Sequence, residues 1–329
     1  MSAISLPKLS PIASSPVGAE VLSGLTAYPK TLSPWLFYDE AGSRLFEAIT
    51  ELPEYYVTRT ERSILAEHAD EIIAAAAGGR DLSMIELGAG TATKTGLLLE
   101  AAIRLQGSLT YYPIDVSETA LEEARRRLEV QLPEVTVEPV VADYTEGMRQ
   151  NKAASGFGAG RRLVLYIGSS IGNFSPGDAL DVLRGVRSQL LPGDCLLLGT
   201  DMVKDTPLLL AAYDDAAGVT AEFNKNVLVR MNREVDANFN PQLFRHRARW
   251  NEEHSRIEMH LESLLAQRVP IGALDLEVRF ALGETIHTEN SYKFTHQRVL
   301  ALLTGAGFKL RRQWSDANSW FTVHLASAN

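Results

Sequence analysis

Cys195 is the only cysteine in this 329-residue chain. It lies in the apolar run Cys195-Leu196-Leu197-Leu198, has no intrachain disulfide partner, and reads as core. No stretch approaches the ~18 consecutive apolar residues of a membrane span. The N-terminus, rich in Ser and Pro, shows no apolar segment after a basic start, so no secretory signal is visible. Positive charge is also in short supply: 32 Lys and Arg against 41 Asp and Glu leave a net charge of −9. That balance argues against a phosphate-backbone partner, which requires a basic face. The run Arg125-Arg126-Arg127 follows Glu122-Glu123 and reads as a solvated helix face of mixed sign. No Gly-Lys-Ser/Thr phosphate loop is present. His254 and His260 have no second ligand at zinc spacing, so no metal is expected. These absences fit a cytoplasmic enzyme acting on a small molecule, with no nucleic-acid or membrane partner and with a monomer as the plainest oligomeric state.

What is present is concentrated in Ser83-Met84-Ile85-Glu86-Leu87-Gly88-Ala89-Gly90-Thr91-Ala92-Thr93-Lys94-Thr95. An apolar strand runs into an acid, then two glycines one apart, then a helix rich in Ala and Leu. Glycine permits the tight turn and the close backbone approach that a Cβ would block. The helix beyond it aims free N–H groups at whatever sits over the loop. A dinucleotide fingerprint requires a third glycine three residues after Gly90, and Thr93 stands there.

Further strands alternate with helices. Leu109–Asp115 reads as a second strand ending in an acid, followed by a helix with Ser117 as N-cap. Val135–Asp143 reads as a third strand, Arg162–Gly168 as a fourth and Cys195–Gly199 as a fifth, with a helix over Ser175–Leu191 between the last two. This alternation implies crossovers and a parallel sheet. After a helix at Gln297–Ala306, Phe308–Trp314 and Trp320–Ala326 form a terminal antiparallel pair. Such a pair is typical of class I S-adenosylmethionine methyltransferases, whose Rossmann-like α/β sheet is the expected fold. The cofactor-binding domain is expected over 61–203 and 293–329. Residues 1–60 and 204–292, a mixed α+β set in which 204–227 reads as helical, are expected to form a substrate-binding cap.

Within such a fold, Gly88 and Gly90 would let the backbone approach the methionine and ribose of S-adenosylmethionine. Asp115 would accept the ribose hydroxyls, Asp143 and Tyr144 would hold the adenine, and Lys94 would reach the cofactor carboxylate. The plainer reading of each acid alone is a helix N-cap, but acids at consecutive strand ends fit a cofactor better. Gly168-Ser169-Ser170-Ile171-Gly172-Asn173 follows strand four, where the reacting atom of the substrate belongs.

Several long motifs resemble the histidine Nα-methyltransferases of ergothioneine biosynthesis: Trp35–Asp39, Leu52–Glu61, Ile85–Thr95, Gly168–Asn173, Leu198–Asp205, Ala212–Thr220 and Thr288–Phe294. The likeness runs from about residue 20 to the end. It implies three successive methylations of the L-histidine α-amine, giving hercynine. It places Tyr55 and Tyr213 on the substrate carboxylate, and Asn173 with the Gly168 backbone on the amine. Glu289 and Ser291 fall on the imidazole, Tyr38 lies nearby, and Met259 and Phe223 line the pocket. Physical chemistry supports the imidazole assignment. Residues two apart on a strand face one way, and a carboxylate with a hydroxyl can serve both ring nitrogens. Other readings are methylation of a different aromatic amino acid, a silent S-adenosylmethionine sensor, and an NAD(P) oxidoreductase. Glu289 with Ser291, the intact substrate-side set, and the missing third glycine weigh against these in turn.

Overall fold

The computed structural model describes residues 15–142, 148 and 160–329. It divides into two compact units, one of Met1–Tyr55 with Asp205–Ser291, the other of Tyr56–Lys204 with Tyr292–Asn329. The divisions expected at 61, 204 and 293 therefore lie at 56, 205 and 292. The first moves because Tyr56–Ala77 is one uninterrupted helix whose first residues already belong with the sheet unit.

The larger unit is built on one sheet. In chain order its strands are β1 (Leu82–Leu87), β2 (Leu109–Asp115), β3 (Val135–Val137), β4 (Val140–Val141), β5 (Arg161–Tyr166), β6 (Cys195–Asp201), β7 (Phe308–Ser315) and β8 (Phe321–Ala328). Across the sheet they run β7-β8-β6-β5-β1-β2-β3, with β4 also on β2. β1 to β6 are parallel where they pair, and β8 is antiparallel to both β6 and β7. β6 is buried along its whole length. A strand covered on both faces needs a continuous apolar run, which explains Cys195-Leu196-Leu197-Leu198. Burial also pushes the Cys195 thiol up from its ordinary value.

The expected third strand is two short ones. Both pair with β2 in one register, Tyr111 opposite Val137 and Ile114 opposite Val140. Pro113, inside β2, has no N–H to give the Glu138 carbonyl, so the ladder is interrupted there although the Glu138 N–H still reaches the Tyr111 carbonyl at 2.9 Å. The helix Glu118–Gln131 begins as expected, with the Ser117 hydroxyl accepting from the Ala120 N–H at 3.3 Å. Arg125 and Arg126 pair with Glu122 on its surface, whereas Arg127 crosses to the Thr91 carbonyl and so braces the glycine loop.

From β1 the chain first moves outward to β2 and β3, then returns to the other side of β1 as β5 and β6. The carboxyl ends of β1 and β5 thus flank the point where strand order reverses, the position at which open α/β sheets bind ligands. Gly88 and Gly168 stand at those two ends.

The smaller unit carries a four-stranded sheet: Lys30–Thr31, Thr285–Tyr292, Arg256–Ser263 and Phe244–Asn251, in that order. Helices Thr206–Tyr213 and Val219–Glu234 pack on it. Their separation at Asp214–Gly218 replaces the single helical stretch read from sequence. Among the described residues no helix is long and apolar enough to cross a membrane.

Candidate active site

In the sheet unit, Gly88 and Gly90 both have positive φ, 69° and 50°. A Cβ added at Gly90 would meet nothing within 4 Å, so the loop is open on that side. The Gly88 N–H is tied to the Ile114 carbonyl at 2.8 Å, and the Gly90 N–H to Asp115 Oδ2 at 2.9 Å. Asp115 Oδ1 accepts from the Ser117 N–H at 2.9 Å. One carboxylate thus sets the glycine loop and the start of the next helix, while each oxygen keeps a second lone pair for a ligand hydroxyl. An open loop with positive φ beside a strand-end acid fits the ribose and methionine of S-adenosylmethionine. Asp143 and Tyr144 lie outside the described residues.

Glu86, the acid before the glycines, is 2% exposed. Its Oε2 accepts from Thr95 Oγ1 at 2.6 Å and from the Tyr111 hydroxyl. Burial pushes its carboxyl up to about 7, against the pull of those two bonds and of Lys94. The helix beyond the loop starts at Gly96 rather than directly after Gly90, because Thr95 turns inward to Glu86.

Lys94, expected on a cofactor carboxylate, is held by Glu61. Glu61 is fully buried, and its two oxygens take the Gly168 N–H at 2.8 and 2.9 Å. Gly168 has φ of 76°, and a Cβ there would lie 3.2 Å from Lys94 Nζ. Glu61 therefore fixes the Gly168 peptide by its N–H and leaves the carbonyl as the available polar group. The Ser169 hydroxyl accepts from the Asp201 N–H at 2.9 Å, and a Cβ on Gly172 would meet the Tyr292 carbonyl oxygen at 2.8 Å. Asn173, half-buried, closes this 3-10 turn. Glu61 went unread in the sequence because it lies on a helix well before the loops it joins.

The smaller unit brings together a second set. The Tyr213 hydroxyl and Ser291 Oγ are hydrogen-bonded at 2.7 Å, and both residues are at least nine-tenths buried. Tyr55 meets Tyr213 edge-on with ring centres 6.2 Å apart. Tyr38 meets Phe223 edge-on at 5.9 Å. Phe46, absent from the sequence reading, joins the two pairs, 5.8 Å from Tyr38 and 6.3 Å from Tyr55. Met259 is 2% exposed, on the buried face of its strand. Glu289 is half-buried. Burial alternates from Thr285 to Thr288 and then breaks, with Glu289 and Asn290 both intermediate and Ser291 buried. The strict period-2 argument for Glu289 and Ser291 is thus modified at that point.

A buried relay holds Tyr213 in place. The His246 Nε2–H donates to the Tyr213 carbonyl at 2.8 Å, so Nδ1 accepts from the Asn224 amide at 2.9 Å. Asn224 Oδ1 in turn accepts from Thr288 Oγ1 at 2.8 Å. Burial lowers the His246 pKa, consistent with a neutral ring in this relay. His260, read as lacking ligand-spaced partners, has Glu258 and His287 beside it. Sequence spacing could not reveal His287, which comes from another strand.

The model of a family described as histidine-specific methyltransferase, SAM-dependent, matches residues 17–328. The chain is 46% identical over 307 residues to a histidine N-alpha-methyltransferase of Mycolicibacterium smegmatis, covering 93% of each chain. It is 44% identical over 309 residues to a histidine N-alpha-methyltransferase of Mycobacterium tuberculosis, covering 94% of each. It is also 37% identical over 207 residues to ergothioneine biosynthesis protein 1 of Neurospora crassa, covering 62% of this chain and 23% of that one.

Proposed function

The chain belongs to the histidine-specific, S-adenosylmethionine-dependent methyltransferase family, and from that premise we propose that it converts L-histidine to hercynine by three methylations of the α-amine. The observation that carries this reading is the buried Tyr213–Ser291 hydrogen bond inside a wall of aromatic rings. Two buried hydroxyls in such surroundings suit a small polar ring and a carboxylate better than a wholly apolar substrate.

S-adenosylmethionine supplies an electrophilic methyl group on a sulfonium. The proposed holders are Gly88, Gly90 and Asp115, with Asp143 and Tyr144. Lys94, with Glu61 taking one of its three donors, keeps others for the ligand carboxylate. For the substrate, Tyr55 and Tyr213 bind the carboxylate, and Glu289 with Ser291 reads the imidazole. Met259 and Phe223 give the ring its apolar walls. A site of this kind rejects a phenyl side chain, which would offer the Glu289 carboxylate no N–H.

The amine must be neutral to attack. Asn173 and the Gly168 carbonyl orient it by accepting its N–H groups, leaving the lone pair directed at the methyl. Each round forms one N–C bond, breaks one S–C bond and releases one proton. Tyr38, through water, is the proposed route for that proton. The growing methylammonium is accommodated by the faces of Tyr38 and Phe223, which stabilise a cation without a fixed counter-charge. Most of the rate then comes from positioning.

The test is mass spectrometry of the purified protein incubated with S-adenosylmethionine and an equimolar mixture of the twenty amino acids. The expected product is histidine carrying three methyl groups. Methylation of another amino acid overturns the roles of Glu289 and Ser291. No methylation, with the methyl donor still bound, overturns the enzymatic reading in favour of a binding module.

A further inference from the structure

The strands Arg256–Ser263 and Thr285–Tyr292 are neighbours in the four-stranded sheet. Glu258 and His260 are two apart on the first, so they share a face, and His287 reaches the same place from the second. One ligand-capable atom from each side chain lies within 4.8 Å of the others. The His260 Nε2–H donates to Glu258 Oε2, a proton that an entering ion displaces, and the two atoms are 3.2 Å apart. That is close to the roughly 3.3 Å between donors of a tetrahedral ion with bonds of ~2.0–2.1 Å. Two donors at alternate positions of one strand and a third across the ladder share one face; the two imidazoles are stacked with ring centres 4.7 Å apart and 22° from parallel, so one ring turns to bring both nitrogens onto an ion.

A second layer of contacts orients these donors. Glu258 Oε1 is taken by Asn251 Nδ2 at 2.8 Å and by Arg256 at 2.6 and 2.8 Å. The other oxygen, Oε2, is thereby turned to His260. The His287 Nε2 lies 3.0 Å from the Glu289 carbonyl. A carbonyl only accepts, so the ring proton sits on Nε2 and the lone pair on Nδ1. A histidine donating its second nitrogen to a backbone carbonyl is the usual arrangement around a bound metal. His260 is 8% exposed, and its Nδ1 is buried with no hydrogen-bond partner. The Asn290 side chain faces the His287 ring. With Nε2–H donating to the carboxylate, the unused lone pair of His260 is on Nδ1, and an ion on Nε2 moves the ring proton to that nitrogen.

From this geometry we infer that Glu258, His260 and His287 bind one divalent first-row transition ion of the zinc or cobalt type. Two nitrogen donors with one carboxylate favour such an ion over magnesium or calcium, which take oxygen ligands. The donors are in the required charge states. Burial lowers both histidines, His260 to about 4, and Glu258 lies near 2 because Arg256, Asn251 and His260 outweigh its burial. Arg249 and Arg256 are the cations facing the cluster, so the expected affinity is micromolar rather than tighter. The ion takes no part in methyl transfer. It fastens one strand to its neighbour, two residues before Glu289.

The experiment is a Co2+ titration of the full chain, free of any affinity tag and treated with chelator beforehand. The expected result is one Co2+ per chain, with the intense visible d–d absorption of a four-coordinate N/O site, displaced by Zn2+. His287→Gln and, separately, Glu258→Gln are expected to weaken binding about tenfold or more, with circular dichroism unchanged. If either variant unfolds, the wild-type spectrum and stoichiometry decide. Absence of a four-coordinate spectrum up to millimolar Co2+ overturns the site. So does undiminished binding by a folded His260→Gln/His287→Gln double variant.

Discussion

At the scale of the residue, Glu86 shows how a motif position acquires a physical role that its letter does not reveal. The sequence marks it as the acid before a glycine turn. The structure buries it and gives its Oε2 two hydroxyl donors. Its carboxyl lies at about 7 in the folded protein against an ordinary 4.5, so folding favours the protonated form. The stability this contributes is complete below pH 4.5 and is lost as pH rises through 7. Glu86→Gln keeps an oxygen for Thr95 and Tyr111 and removes the proton. The variant is expected to be more stable than the parent at pH 8, by roughly 2–4 kcal/mol, and equal to it near pH 4. Urea melts at the two values check this, and an equal offset at both would mean that Glu86 does not titrate on folding. The glycines were legible because turns with positive φ favour a residue without a Cβ. Glu61 was not, because a carboxylate on a distant helix gives no sign of which peptide it will hold.

At the scale of the element, local signals served well where local forces decide. β2 was expected over Leu109–Asp115 and is found there. Ser117 caps the next helix, β6 begins at Cys195, and the terminal antiparallel pair closes the sheet. The misses come from interruptions that periodicity does not register: the missing N–H of Pro113 opposite the third strand and the turn at Asp214–Gly218. The cross-strand meeting of His260 with His287 is a third case, since strand pairing is a tertiary choice. The turn Ser170–Asn173 is positioned by such a choice as well, because Gly172 lies where a Cβ would meet the Tyr292 carbonyl oxygen at 2.8 Å. That oxygen is backbone and cannot swing aside, so Gly172→Ala must move the turn and carry Asn173 with it. A displacement near 1 Å costs about a hundredfold in rate when positioning supplies the catalysis. We expect a loss of that order in kcat/KM for histidine, with donor binding, read by calorimetry, within about twofold of the parent. Unchanged kcat/KM would show that the turn does not position the amine.

At the scale of the whole molecule, the chain passes between its two units three times, at Tyr55/Tyr56, Lys204/Asp205 and Ser291/Tyr292. The alternation of strands and helices placed these passages only to within a few residues, since neither side of each carries a linker. Within the sheet unit, the residues bordering all three passages converge on one carboxylate. Asp201, with no exposed surface, accepts from the Tyr56 hydroxyl at 2.9 and 3.0 Å, from Lys293 Nζ at 2.8 Å and from Lys204 Nζ. Burial opposes its charge, but Lys293 and Lys204 hold its pKa below the ordinary value. Burial in turn brings Lys204 down to about 8. Asp201→Asn would leave two ammonium groups buried with no counter-charge, which typically costs about 3–5 kcal/mol. Part of that cost is removable, because Lys204 can release its proton. At pH 6 the parent Lys204 is charged, and the variant must either bury the charge or expel the proton; at pH 9 both proteins hold it largely neutral. The destabilisation measured by urea unfolding should therefore be larger at pH 6 than at pH 9. An equal loss at both would mean that the carboxylate acts on Tyr56 and Lys293 alone, and that only two of the three passages depend on its charge.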